Sequence, residues 1–273
     1  MIMLYLLYII LILPFDINML DQSAENFINT FPKLSCRPDL CPKETISLGC
    51  IKSEFFAEAC GAYNEIWHVN GQMRQGILSS VNMIRNLVAS GQNNFSVAAR
   101  MPLMLWDRNL SLLARVALRQ CDSEGRYCAN TEKYNFVTTT EISSTLKRKH
   151  SLLKHVLGRF MPTWLNDILG CRMDANNRIV PVDEGRCVGH YVPLIEDKGN
   201  RLGCALRKRS IRANKTETVN LLCHISRANV NDMPPYEIGK TAGDKCITGR
   251  SLLYKSLCSK NEIVDANAVA PKE

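Results

Sequence analysis

The chain has 273 residues, 46% of them hydrophobic and 22% charged, with 34 basic against 26 acidic side chains and a net charge of +8. Such a composition excludes a disordered or collagen-like chain and leaves one large domain or two small ones. The positive balance favours an acidic surface as partner but carries no information on fold.

Residues 1–15, MIMLYLLYIILILPF, contain no charged side chain, and Asp16 ends the run. A run of this length falls short of the roughly 20 residues that span a bilayer as a helix. It matches the apolar core of a secretory signal, although the usual basic n-region is reduced to the α-amine. Cleavage is expected within Pro14–Ala24, so residues 1–20 read as a signal peptide and the protein as secreted and extracellular. No later segment is apolar over a membrane-crossing length.

The 12 cysteines, at 36, 41, 50, 60, 121, 128, 171, 187, 204, 223, 246 and 258, then read as six disulfides. The closest spacings, Cys36–Cys41 and Cys121–Cys128, are too wide for a zinc knuckle. Spacing alone leaves the connectivity open. Three Asn-x-Ser/Thr sequons, at Asn94, Asn109 and Asn214, also fit export. Asn214 falls in a polar loop between predicted strands, Asn94 in a loop after Gly91, and Asn109 near the first turn of a predicted helix.

Residues 36–60 carry four cysteines and few helix signals, and read as a loop-rich, cross-linked segment. Over 72–90 the apolar positions Met73, Ile77, Val81, Ile84 and Val88 have helical spacing, with Gly91 as the stop. Asp107 is a good N-cap for a second helix with a face of Leu110, Leu113, Ala114, Ala117 and Cys121. A third helical stretch runs through Leu152, Leu153, Val156, Leu157 and Phe160, with Pro162 opening a further turn or helix around Trp164. After Cys187, the runs HYVPLI, RLGCALRK and TVNLLCHIS read as short strands. Helices first and strands later predict an α+β fold with helices packed on an antiparallel sheet. From Asn231 onward the chain reads as a loop-like tail.

The segment from Asn82 through Arg85 to Gly91 resembles the N-x-x-R…A-x-G helix of the CAP superfamily, which includes cysteine-rich secretory proteins, antigen 5 venom allergens and plant pathogenesis-related proteins. Met101-Pro-Leu-Met-Leu-Trp106-Asp107 with Leu110, Leu113 and Ala114 is similar to its M-x-x-L-x-W-D stretch. Cys128-Ala-Asn130-Thr131, Gly189-His190-Tyr191 and Arg201-Leu-Gly203-Cys204-Ala205 are further matches, and Cys36-Arg-Pro-Asp-Leu-Cys41-Pro resembles insect antigen 5-related proteins. The resemblance implies a disulfide-stapled α-β-α sandwich over 71–235, a cysteine-rich N-terminal segment over 21–70, and a tail over 236–273. By position it implies Cys36–Cys50, Cys41–Cys128, Cys60–Cys121 and Cys204–Cys223. The remaining cysteines then pair most simply as Cys171–Cys187 and Cys246–Cys258.

CAP domains often carry a central cleft with two histidines and two acidic residues, which in some members binds a divalent metal. The first histidine position is Val81 here. The G-E/Q-N stretch becomes Thr138-Thr139-Thr140, with Thr139 as the cleft position. The W-x-x-E glutamate becomes Asp167 after Trp164, and His190 is retained. Val81 offers no ligand atom, and no nucleophile motif accompanies His190, so the cleft reads as degenerate, with no metal, cofactor or catalytic residue. His190 reads as a structural cleft residue, and His68, His150, His155 and His224 as surface residues.

Two basic clusters, Lys147-Arg148-Lys149-His150 with Lys154 and Arg207-Lys208-Arg209 with Arg212 and Lys215, read as solvated faces or as an attachment surface for acidic glycans, anionic lipid or an acidic protein. No interleaved aromatics support nucleic-acid binding. The leading expectation is a secreted, non-enzymatic protein of extracellular recognition, of the insect antigen 5-related kind used in venom, saliva or reproductive and seminal fluids. A sterol or lipid carrier is the alternative, and a hydrolase ranks below both.

Overall fold

The computed structural model describes residues 34–121, 125–146, 151–182, 192–211, 216–228 and 234–269. The expected signal peptide, the Lys147–His150 run, Cys187, His190, Arg212, Asn214 and Lys215 lie outside the described residues. In chain order the elements are β1 (Ile46–Ser47), β2 (Asn64–Trp67), α1 (Gly71–Ala89), β3 (Leu105–Trp106), α2 (Arg108–Gln120), β4 (Tyr127–Cys128), β5 (Thr138–Leu146), α3 (Leu152–His155), α4 (Met161–Leu169), β6 (Cys171–Met173), β7 (Ile179–Pro181), β8 (Arg201–Ile211) and β9 (Thr216–Ile225). A π-helical stretch, Val156–Phe160, joins α3 to α4.

Helix α1 starts where the Asn70 side chain accepts a hydrogen bond from the Met73 amide at 2.9 Å. Its stripe of Met73, Ile77, Val81, Ile84 and Val88 is buried. The helix ends at Ser90, and Gly91 follows with φ +80°, a conformation that disfavours any residue with a Cβ. Helix α2 starts at Asp107, whose Oδ1 accepts from the Leu110 amide at 3.0 Å. It is covered on two sides. Ala114 and Leu118 pack on Ala205 and Leu222 of the sheet. Leu110, Leu113 and Val116 pack under Leu48, Ala129, Tyr134 and Ala266.

The main sheet has the order β2-β8-β9-β5, antiparallel throughout, with β3 pairing in parallel to the start of β8. Side chains alternate between its faces. Leu202, Cys204 and Leu206 of β8, and Val219, Leu221, Cys223 and Ile225 of β9, join α1 and α4 in one apolar core. The other face meets α2. The approach there is closest at Gly203, where an added Cβ would lie 2.2 Å from the Ser111 amide nitrogen. Helices on both faces of an antiparallel sheet make an α-β-α sandwich.

Three local readings change. Val192–Ile195 of HYVPLI is a 3-10 turn rather than a strand, because Pro193 has no amide hydrogen for a ladder. Residues 138–146 form a nine-residue strand along β9 that the sequence did not announce. Asn64–Trp67 adds the opposite edge.

Disulfides join Cys36–Cys50, Cys41–Cys128, Cys60–Cys121, Cys204–Cys223 and Cys246–Cys258. Cys171 is also disulfide-bonded, and its expected partner Cys187 lies outside the described residues. The tail enters the fold, with Leu257 and Cys258 fully buried and Ala266 packed on the outer side of α2.

Candidate functional site

Among the described residues, the cleft positions Val81 and Thr139 do not converge. Val81 is fully buried in the core between α1 and the sheet, with Leu221 and Cys223 in the same cluster. Thr139 instead pairs with His224 across β5 and β9, and its Oγ1 lies 2.9 Å from His224 Nδ1 on the α2 side. The expectation that Thr139 lines the cleft with Val81 is therefore corrected: strand alternation sends the two to opposite faces. Asp167 is half-buried on α4, three residues beyond the buried Trp164. His190 lies outside the described residues. Divalent metal needs several N, S or O donors in one place, and an aliphatic side chain plus a threonine on the far face do not fit one. Among the described residues, no three His, Cys, Asp or Glu side chains are grouped as metal ligands.

The signature residues of α1 act as fasteners. Asn82 donates to the Met104 carbonyl at 3.0 Å and accepts from the Met104 amide at 2.7 Å, so its amide stands in for a backbone partner. Arg85 is wholly buried, donating Nε to the Pro102 carbonyl at 2.9 Å and Nη1 to the Leu194 carbonyl at 2.6 Å. Burial pulls its pKa down to about 10, against the opposing charges of Asp197 and Glu196. Glu196 is itself buried, 3.8 Å from Arg227 Nε, and burial followed by repulsion from Asp197 pushes its carboxyl up to about 8.

A groove of about 620 Å³ opens on the α2 face, where α2 covers β8 and β9 but leaves β5 bare. Thr139, Glu141, Arg207, Asn220, Leu222 and His224 line it. His224 was expected at the surface but is 1% exposed. Alternation along TVNLLCHIS turns it away from the apolar core and under α2. Burial pushes its pKa down to about 4, so the ring is neutral at pH 7, with the Leu113 backbone as its partner in the opposite sense. Asn220 Nδ2 donates to Glu141 Oε1 at 2.6 Å. The Arg207 guanidinium contacts Cys121 Sγ and keeps Nε without a hydrogen-bond partner. Burial lowers its pKa, with Glu141 acting the other way. These are groups that hydrogen-bond and orient. Cys121 Sγ is bonded to Cys60, so it offers no thiolate nucleophile to the groove.

The Arg207-Lys208-Arg209 cluster is not one surface, because β8 alternates. Arg207 faces the α2 groove, whereas Lys208 Nζ lies 4.8 Å over the Trp67 ring and 3.4 Å from Glu217. His155 is half-buried too, with Nε2 2.7 Å from Ser144 Oγ and its ring edge-on to Phe160. His68 is exposed, as are Asn94 in the turn after α1 and Asn109 in the first turn of α2.

A protein-family model described as the CAP, Cysteine-rich secretory protein family, matches residues 78–224. The chain is 26% identical over 246 residues to Venom allergen-1 of Aedes albopictus, covering 90% of this chain and 95% of that one. It is 30% identical over 258 residues to Tabinhibitin 2 of Tabanus yao, covering 89% and 90%. The crystal structure of NaASP2 with Zn2+ superposes with a TM-score of 0.52 at 20% identity, covering 70% of this chain and 96% of that one. BmVAL-1 gives a TM-score of 0.51 at 21% identity, covering 70% and 96%. These structures share the fold, and the match to the family model runs from Leu78 within α1 through α2 to His224 in β9: the chain belongs to the CAP, cysteine-rich secretory protein, family.

Proposed function

We propose that this chain is a secreted, non-enzymatic CAP protein that acts in extracellular recognition. One observation carries the reading: Val81 is sealed in the core while Thr139 faces the other side of the sheet, so two of the four cleft positions supply no ligand to a common point. The similarity to venom allergens of Aedes supports export, as do the apolar leader and the disulfide content. Recognition then falls to surface loops and basic side chains, with an extracellular protein, glycan or lipid as partner. A sterol carrier finds less support, since the α2 groove presents Glu141, Arg207 and Asn220. Calorimetry with zinc on native protein and on His190→Ala tests the reading. No heat tighter than the millimolar range is expected, and a micromolar heat lost in the variant overturns it. Protein secreted from eukaryotic cells should begin after residue 14 and before Cys36. It should also lose mass on deglycosylation, with Asn94 and Asn214 the foremost acceptors.

A further inference from the structure

The Cys246–Cys258 loop presents an apolar tip that nothing in the fold uses. Leu252 is 95% exposed and Leu253 64% exposed, side by side in Arg250-Ser-Leu-Leu-Tyr-Lys255. A leucine pair this exposed normally folds back or is covered. Here the loop is held outward. The Ser251 amide donates to the Leu257 carbonyl at 2.8 Å, closing the turn. The Ser256 amide donates to Asn86 Oδ1 at 2.9 Å, and Tyr254 OH reaches the Ser79 carbonyl at 3.4 Å, both on α1. The Cys258 amide donates to the Met101 carbonyl at 2.8 Å, and Leu257 and Cys258 are fully buried. The base of the loop is thus bolted to the core while its tip stands clear.

Charge around the tip is predominantly positive, although Lys245 is paired with Glu237. Residues 240–260 hold Lys240, Lys245, Arg250, Lys255 and Lys260 against the single acid Asp244. Arg250, Lys255 and Lys260 are exposed. The nearby Glu262 is buried and taken up by Arg100 at 2.5 Å and by Thr248, so it does not neutralise them.

We propose that this loop is a membrane-docking tip, with Leu252 and Leu253 entering the interfacial layer of an anionic bilayer and Arg250, Lys255 and Lys260 meeting lipid phosphates. A convex apolar point bracketed by cations suits a soft anionic surface, where both contributions act together. A protein partner would instead have to supply a matching pocket.

The test uses the full secreted protein and vesicles of phosphatidylcholine alone or with roughly 30% phosphatidylserine, which supplies the anionic surface. Co-sedimentation with the anionic vesicles is expected, falling as salt rises, with little on neutral ones. Leu252→Ser with Leu253→Ser should weaken partitioning at least about tenfold, and Arg250→Glu with Lys255→Glu should abolish it. Both pairs are exposed, and unchanged circular dichroism checks the fold. Leu252→Trp gives an independent readout: its emission should shift to the blue on anionic vesicles. Absence of binding, binding indifferent to the leucine pair, or an unshifted Trp overturns the proposal, and the tip then belongs to a protein contact.

Discussion

The two faces of the sheet are built on different chemistry. On the α1 face the sheet meets a dry core in which even the polar signature residues are fasteners: Asn82 pairs with the backbone of Met104, and Arg85 ties Pro102 to Leu194. On the α2 face a buried histidine, a glutamate–asparagine pair and an incompletely paired arginine line an open groove. Asn82 and Arg85, two of the residues by which the family is recognised, therefore serve the architecture of the α1 face. The polar residues of the other are absent from the signature. A family pattern can persist while a cleft position changes, as at Val81, because the two are carried by different side chains.

The largest expected effect tests the fastening role. Arg85→Ala should destabilise the protein by about 3–5 kcal/mol, because it strips hydrogen bonds from the buried carbonyls of Pro102 and Leu194 and leaves a cavity in the core. Urea denaturation measures it, and a loss below about 1 kcal/mol would make Arg85 dispensable to the α1 face.

The two faces should also titrate in opposite directions. His224 has a folded pKa of about 4 against an ordinary 6.5. The unfolded chain thus binds more protons between those values, and stability rises with pH across the window and is lost on acidification, by up to about 3 kcal/mol. Glu196, with a folded pKa of about 8 against 4.5, contributes stability at low pH that declines as pH rises through that range. Denaturation midpoints from pH 4 to 8 for native protein, His224→Gln and Glu196→Gln separate the two. The histidine variant should lose the acid-side slope and the glutamate variant the alkaline-side one.

Val81→His restores the family's residue to its place. It should cost about 2–3 kcal/mol from overpacking and a buried polar ring, and should still bind no zinc in calorimetry. Zinc affinity in the micromolar range would show that the cleft is intact apart from this position. The smallest effect is expected for Thr139→Val, which removes the partner of His224 Nδ1 and should cost about 1 kcal/mol.

Much of the α1 face was legible in advance, since a helix against a core writes its period plainly: Met73, Ile77, Val81, Ile84 and Val88 recur at three and four. Asp107 and Gly91 mark boundaries through backbone chemistry that is local. Strand β5 was not legible, because T-T-T-E-I-S-S-T-L is mostly polar and its burial comes from the partner β9 and the helices beyond. His224 was misplaced for a related reason. Alternation in β9 removes it from the apolar core, but α2 then covers that side, and no local signal says so. The splitting of Arg207 from Lys208 needed only the period of two, once the segment is known to be a strand.

Two bridges of the N-terminal half are nested and a third crosses the outer of them. Cys60–Cys121, a sequence separation of 61, lies inside Cys41–Cys128, a separation of 87, while Cys36–Cys50, a separation of 14, interleaves with Cys41–Cys128. Synthesis from the N-terminus delivers Cys41 and Cys60 long before their partners, with Cys36 and Cys50 as the thiols at hand. First-formed links will therefore include wrong ones, and thiolate attack must reshuffle them before α2 can be clamped between the sheet and the N-terminal coil. Yield of native protein should depend on an isomerase and a moderate redox poise more than on translation speed, and a rapidly oxidised preparation should accumulate scrambled isomers in which the groove beside Cys121 never forms.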